Sequence, residues 1–249
     1  MKKTIFSVYV YLIMIVTALV LWLPFVIIWL FTVLFDKRLI ILHYFANFWG
    51  GLLTILVPGW KLKLIGKEKL NNKAKIIVAN HQSQEDILLI YRLGVPFRWI
   101  SKAEVFKTPI YGWLMALKGD IKLHRFSKSS IKQMFIDAEK VLRKGCIITI
   151  FPEGTRSKTG KLGKFKEGAF KLAQNAEIPI VPIVIYGTGT TLIYPNRQFK
   201  GKHEVIVKVL DEIPYEEIKD KDTGELANQV KDLIELELNK LKLLYNGSE

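Results

Sequence analysis

The chain has a single cysteine, Cys146, set in the apolar run CIITIF. That excludes an intrachain disulfide and a cysteine metal cluster, and the apolar flanks predict a buried strand residue. Histidine is scarce as well. His43, His81, His124 and His203 are the whole set, and none stands in a metal-ligand spacing such as HExxH, so no metal site is expected. Acidic residues are outnumbered, 23 against 37 Lys and Arg, for a formal charge of +14 over 249 residues. Charge of either sign is missing from residues 4 to 35, and there are no repeats or low-complexity tracts.

What is present divides the chain in two. Residues 1 to 59 carry Lys2, Lys3, Lys37 and Arg38 against Asp36, a net of +3, which leaves +11 for residues 60 to 249. As one helix, residues 4 to 35 would run roughly 48 Å, past a hydrocarbon core of about 30 Å, so a single straight span is disfavoured, and Pro24 offers a kink. The run is also too long for a secretory signal, and no small-residue cleavage site follows it. After Asp36, Lys37 and Arg38 comes LIILHYFANFWGGLLTILVP, apolar but weaker. The expectation is a two-helix membrane anchor over 1–59, either a transmembrane hairpin or a monotopic pair. Aromatic residues such as Trp22, Trp29, Tyr44 and Trp49 favour the interfacial, monotopic form.

From Trp60 onward the pattern is α/β. KLKLIG alternates like an edge strand, KIIVAN and CIITIF read as short buried strands, and IPIVPIVIY and HEVIVKVL as later ones. Pro182 within VPIVI suggests a bulge or a sheet edge. EDILLIYRLG, PIYGWLMALKG and KSSIKQMFIDAEKVLRKG have helical spacing, the last stopping at Gly145. ELANQVKDLIELELNKLKLL predicts a C-terminal amphipathic helix with Leu226, Val230, Leu233, Ile234, Leu236 and Leu241 on its apolar face. The expected fold over 60–249 is a mixed sheet flanked by helices.

Chemistry concentrates at two strand ends. In VANHQSQEDILLI, His81 follows a strand and Asp86 lies five residues on. On one continuous helix the two would be separated by roughly 140°, so pairing them needs a loop. Ser83-Gln84-Glu85-Asp86 has the S-x-x-D form of a helix-capping signal, which starts a helix and also aims Asp86 at the loop holding His81. In FPEGTRSKTGKLGKFKEGAF, Glu153, Gly154, Thr155 and Arg156 end another strand, with Lys158, Lys161, Lys164 and Lys166 close behind. Guanidinium, hydroxyl and close backbone approach suit an anionic phosphate ligand. A plain basic loop, with Gly154 as a turn residue, fits the same residues.

Taken in order, NHQSQED, KAEVFKTPIYGW with GDIKLHR, FPEGTR and VPIVI resemble the four blocks of the glycerolipid acyltransferase family, and more narrowly the bacterial 1-acyl-sn-glycerol-3-phosphate acyltransferases of the PlsC type. The resemblance covers roughly residues 60 to 215. It implies a glycerol-3-phosphate acyltransferase-like fold and transfer of a fatty acyl group from acyl-CoA or acyl carrier protein to the sn-2 hydroxyl of lysophosphatidic acid. In that reading His81 is the general base and Asp86 its orienting partner. Glu153, Gly154, Thr155 and Arg156 bind the glycerol phosphate, and Lys102 and Arg125 add phosphate contacts. Val105 replaces a usual Leu, and Leu123-His124 precede Arg125 where the family often has Ile or Val then Asp. No cofactor is implied beyond the acyl donor. The partners are the phospholipid bilayer and the two substrates, not nucleic acid, and the place is the cell membrane with the catalytic domain on its cytoplasmic face.

Three other readings remain. One is a glycerol 3-phosphate or other lysophospholipid acyltransferase. Another is a covalent acyl-Ser83 route, which lacks a G-x-S-x-G elbow. The third is a non-catalytic basic protein binding anionic lipid, resting on charge and anchor alone.

Overall fold

The computed structural model describes residues 2–157, 161–189, 192–193, 198–199 and 203–245; Lys158 lies outside them. Two apolar helices come first, α1 (Lys2–Thr32) and α2 (Ile40–Leu56). Then follow β1 (Trp60–Ile65), β2 (Lys75–Ala79), α3 (Glu85–Tyr91), β3 (Phe97–Lys102), α4 (Tyr111–Leu117), β4 (Ile121–Leu123) and α5 (Lys128–Arg143). The chain continues through β5 (Ile147–Ile150), α6 (Gly168–Ala176), β6 (Ile180–Tyr186), the short pair β7 (Leu192–Ile193) and β8 (Gln198–Phe199), β9 (His203–Val209), α7 (Tyr215–Ile218) and α8 (Thr223–Tyr245).

Seven strands form one sheet in the order β1-β9-β6-β2-β5-β3-β4. The five from β6 to β4 are mutually parallel, β9 is antiparallel to β6, and β1 runs parallel to β9. The sheet is therefore mixed, as expected. β1 lies at its edge, and its alternating exposure matches the KLKLIG pattern. The central strands are buried on both faces, which is why KIIVA and IITI read as unbroken apolar runs. Along β2, Ile76 and Val78 enter a core built with α5, α6 and α8, while Ile77 and Ala79 enter one built with α3. Cys146 is buried just before β5.

Pro182 does not mark an edge. It sits inside β6, between β9 and β2, with its carbonyl accepting from Leu210 N at 3.0 Å. The β9 ladder pairs with β6 only from Ile183 onward, so the missing N–H falls where that ladder ends. In α8, Leu226, Val230, Ile234 and Leu241 are buried as expected, but Leu236 is exposed and Leu238 takes the core position. The 3.6-residue period allows only one of two leucines two positions apart to face inward. FRWISK (β3) and GAFKLAQNA (α6) are elements the sequence pattern did not reveal.

The two apolar helices are packed on the rest of the molecule. α1 is one continuous helix through Pro24, and at 31 residues it spans about 46 Å. It touches the body along its length: Phe199 N donates to Ser7 Oγ at 2.9 Å, Tyr111 Oη donates to the Met14 carbonyl at 3.0 Å, and Arg38 beyond its end donates to the Gly145 carbonyl. α2 lies between α1 and α3. A Cβ on Gly50 would stand 2.7 Å from the Tyr91 side chain, so glycine is what lets α2 and α3 approach. The outer face of α1 exposes Ile5, Leu12, Leu19, Leu23 and Leu30.

Candidate active site

Parallel strands put their C-terminal ends on one side, and ligands of α/β sheets gather there. β2 delivers His81, β3 ends at Lys102, β4 leads to Arg125, and β5 leads to Phe151 and the Glu153–Arg156 segment. The four sequence blocks thus meet because their strands are neighbours or near neighbours in one sheet.

Asn80 closes β2. Its side chain mimics one more strand pair, donating to the Ile185 carbonyl and accepting from Ile185 N, each at 2.8 Å. The next residue leaves the sheet with its geometry fixed. His81 N donates to Glu153 Oε1 at 2.8 Å, and the His81 carbonyl accepts from Ser157 N at 2.8 Å. The imidazole stacks on Phe151, with centroids 4.0 Å apart and planes 9° apart, and Phe151 stacks in turn on Trp99 at 5.1 Å. Trp99 Nε1 donates to Tyr91 Oη at 3.2 Å. None of Asn80, Phe151 or Trp99 was assigned a role from sequence. The available signals were a polar residue ending an apolar strand and the aromatic that opens FPEGTR.

Asp86 is fully buried, and its Oδ2 lies 2.8 Å from His81 Nδ1. The same oxygen accepts Gln82 N at 2.7 Å and Ser83 N at 2.8 Å. An oxygen already taking two amide protons acts as an acceptor toward the imidazole as well, which assigns the proton to Nδ1 and leaves Nε2 with its lone pair. The helix-start reading holds in half: Asp86 reaches back to Ser83 N, but Ser83 Oγ accepts Glu85 N at 3.4 Å, and the residue preceding α3 is Gln84, which makes no side-chain cap. Ser83 is buried, and its oxygen faces the α3 start.

Beside the histidine loop a groove of about 790 Å³ is lined by Glu153, Thr155, Arg156 and Ser157, with Lys161, Lys164 and Lys166. Glu153 uses both oxygens on backbone amides, Oε1 for His81 N and Oε2 for Gly163 N at 2.9 Å. It ties loops together, and burial pushes its carboxyl above the ordinary range against the pull of those two amides. Gly154 has a φ of 68°, which a side chain would strain, and its carbonyl accepts from the Arg125 guanidinium. Arg125 is thereby joined to the segment it was expected to assist. Lys102 stands exposed at the end of β3 and does not line the groove. Among the described residues, no three His, Cys, Asp or Glu side chains gather as a metal site would require.

A sequence profile of the acyltransferase family matches residues 61–186, about half of the chain and all of the strands that build this site. The chain belongs to the acyltransferase family. Within it, the chain is 38% identical over 162 residues to the chloroplastic 1-acyl-sn-glycerol-3-phosphate acyltransferase LPAT1 of Arabidopsis thaliana, a match covering 64% of this chain and 45% of that protein. It is 35% identical over 132 residues to the 1-acyl-sn-glycerol-3-phosphate acyltransferase of Pseudomonas aeruginosa, covering 53% of this chain and 51% of the other. The matches thus span about half the length of these relatives. The fold is that of the crystal structure of the 1-acyl-sn-glycerophosphate (LPA) acyltransferase PlsC from Thermotoga maritima: the TM-score is 0.81 at 22% identity, over 97% of this chain and 96% of that one. That coverage includes the two apolar helices, so they are part of the shared fold.

Proposed function

We propose that this acyltransferase moves a fatty acyl group from an acyl-CoA or acyl-ACP thioester to the sn-2 hydroxyl of lysophosphatidic acid, giving phosphatidic acid in phospholipid biosynthesis. The observation that carries the reading is the His81–Asp86 pair at 2.8 Å, one backbone hydrogen bond away from an arginine-bearing groove.

An alcohol is a weak nucleophile at neutral pH. His81 Nε2 accepts the hydroxyl proton as the new C–O bond forms at the thioester carbonyl, an effect of about 10² to 10⁴-fold. The C–S bond then breaks, and the proton passes from His81 to the departing thiolate. Asp86 holds the imidazole tautomer and stabilises the imidazolium, the role a buried aspartate has in a Ser-His-Asp triad. Here the acceptor hydroxyl stands where the serine would. Arg156 presents a planar fork to the acceptor phosphate, with Thr155 and the groove lysines around it. Arg125 braces the segment through the Gly154 carbonyl.

The membrane has a mechanistic use. Exposing a long acyl chain to water costs on the order of 10 kcal/mol at about 0.8 kcal/mol per methylene. α1 is without charge from Thr4 to its end and has an exposed apolar outer face, which supports seating in a bilayer. Its contacts with the body at Ser7, Met14 and Arg38 favour a helix lying in the plane of one leaflet over a hairpin crossing both. We place that leaflet at the cytoplasmic face of the cell membrane, where the basic body meets anionic headgroups and a polyanionic donor.

The test is an acceptor panel with purified protein in detergent: glycerol 3-phosphate, lysophosphatidic acid and lysophosphatidylcholine, each with acyl-CoA and acyl-ACP. Lysophosphatidic acid is expected to be the best acceptor, and its ranking last would overturn the assignment.

A further inference from the structure

The strand starts, opposite the histidine, carry a second concentration of charge. Arg98 at the beginning of β3 is only 7% exposed. Its guanidinium donates to the carbonyls of Gly119 at 3.3 Å and Arg38 at 3.5 Å, and its Nε is buried without a hydrogen bond. Lys118 is buried beside it. The buried carboxylate there is Asp120, whose Oδ1 takes Lys118 Nζ at 2.5 Å and Trp99 N at 2.9 Å while its Oδ2 has no hydrogen bond. Two buried cations thus face one buried anion. Arg38, half-buried in the connection between α1 and α2, adds a third cation whose Nε also lacks a hydrogen bond. Among the described residues, neither arginine has a carboxylate within ion-pair distance.

A buried charge without its counter-charge is costly. The cluster is not sealed, however. Arg98 and Asp120 line a groove of about 570 Å³ whose rim carries Lys122, Lys140 and Lys144, with Asp137 as the opposing rim charge. The groove is large enough for a phosphate and its esters, and its charge balance lacks one.

We propose that this groove binds a phosphate-bearing anion, with Arg98 as its buried anchor and Lys140 and Lys144 as its rim. Arg38 belongs to the turn between the two apolar helices, which sets the groove beside the membrane-seated part of the chain. A phospholipid headgroup in that leaflet carries the required chemistry, and so does free phosphate from solution. Occupation would complete the charge balance around Arg98, whose guanidinium already reaches the Arg38 carbonyl in that turn.

The experiment uses the full chain in neutral detergent micelles and reads its unfolding temperature, since a ligand that binds only the folded form raises it. One arm titrates phosphatidylglycerol into the micelle, the other inorganic phosphate into the buffer. The exposed pair Lys140→Ala with Lys144→Ala is compared with wild type and with a control pair, Lys219→Ala with Lys221→Ala, in the connection between α7 and α8. Two rim lysines near an anionic surface correspond to roughly tenfold or more in affinity. The expected result is that the rim pair needs about ten times more ligand for the same upward shift, while the control matches wild type. A difference confined to the lipid arm identifies a headgroup as the occupant, and one confined to the phosphate arm identifies free phosphate. Equal responses in wild type and rim variant, equal weakening in the control, or no response in either arm would overturn the proposal.

Discussion

Glu153 holds His81 by the backbone. Its Oε1 accepts the histidine's amide at 2.8 Å while its Oε2 accepts Gly163 N at 2.9 Å, so one carboxylate joins the strand-end loop of β2 to both sides of the groove. This glutamate fixes the distance between the His81 loop and the Gly163 side of the groove.

That arrangement has a pH consequence. Burial raises the Glu153 carboxyl, so the folded state holds its proton more tightly than the unfolded chain does. Stability then falls as pH rises from the ordinary carboxylate range through the raised folded value. Glu153→Gln removes the titration. Thermal unfolding between about pH 4 and 7 should show a shallower decline in that variant than in wild type. A steeper decline would contradict the assignment of the shift to burial.

Replacement of His81 and of Asp86 separates the proposed chemistry from the proposed seating. His81→Ala should lower turnover by about 10² to 10⁴-fold, and Asp86→Asn by a comparable factor through the wrong tautomer. Flotation with phospholipid vesicles should be unchanged in both. Wild-type turnover in His81→Ala would end the catalytic reading.

Arg156→Lys keeps the charge and loses the planar fork. The expected outcome is a rise in KM for lysophosphatidic acid of about tenfold or more, equivalent to about 1.4 kcal/mol, with a smaller change in kcat. Steady-state kinetics at saturating donor measure it.

Gly50→Ala places a Cβ 2.7 Å from the Tyr91 ring and Cβ, atoms that cannot move without shifting α3. Overpacking of this kind costs about 1–3 kcal/mol. The variant should unfold several degrees lower, and because α3 carries Asp86 it should also lose activity in proportion to the displacement.

Much of the fold was legible because the central strands are buried on both faces and are bounded by Gly, Asn and Pro. β3 was not, since FRWISK mixes a buried Arg98 and Trp99 with exposed Lys102, and its partners lie far off in sequence. Pro182 misled because local pattern cannot say where a neighbouring ladder stops. His81 and Asp86 were readable as a pair once a loop was placed between them. Phe151 and Asn80 were not, because their work is a ring contact and a backbone mimicry across 70 and 105 residues of chain. Lys102 was carried from a motif, and the groove forms without it.

The contacts that run along α1 also restrict motion. A body joined to its first two helices through Ser7, Met14 and Arg38 has no swivel between them, so on the proposed seating it keeps one tilt toward the leaflet. On the proposed function, encounter with a lysolipid becomes a two-dimensional search, governed by how many molecules share each unit of surface. On such a seating, adding inert lipid dilutes the acceptor and slows the enzyme even when the amount per millilitre stays the same.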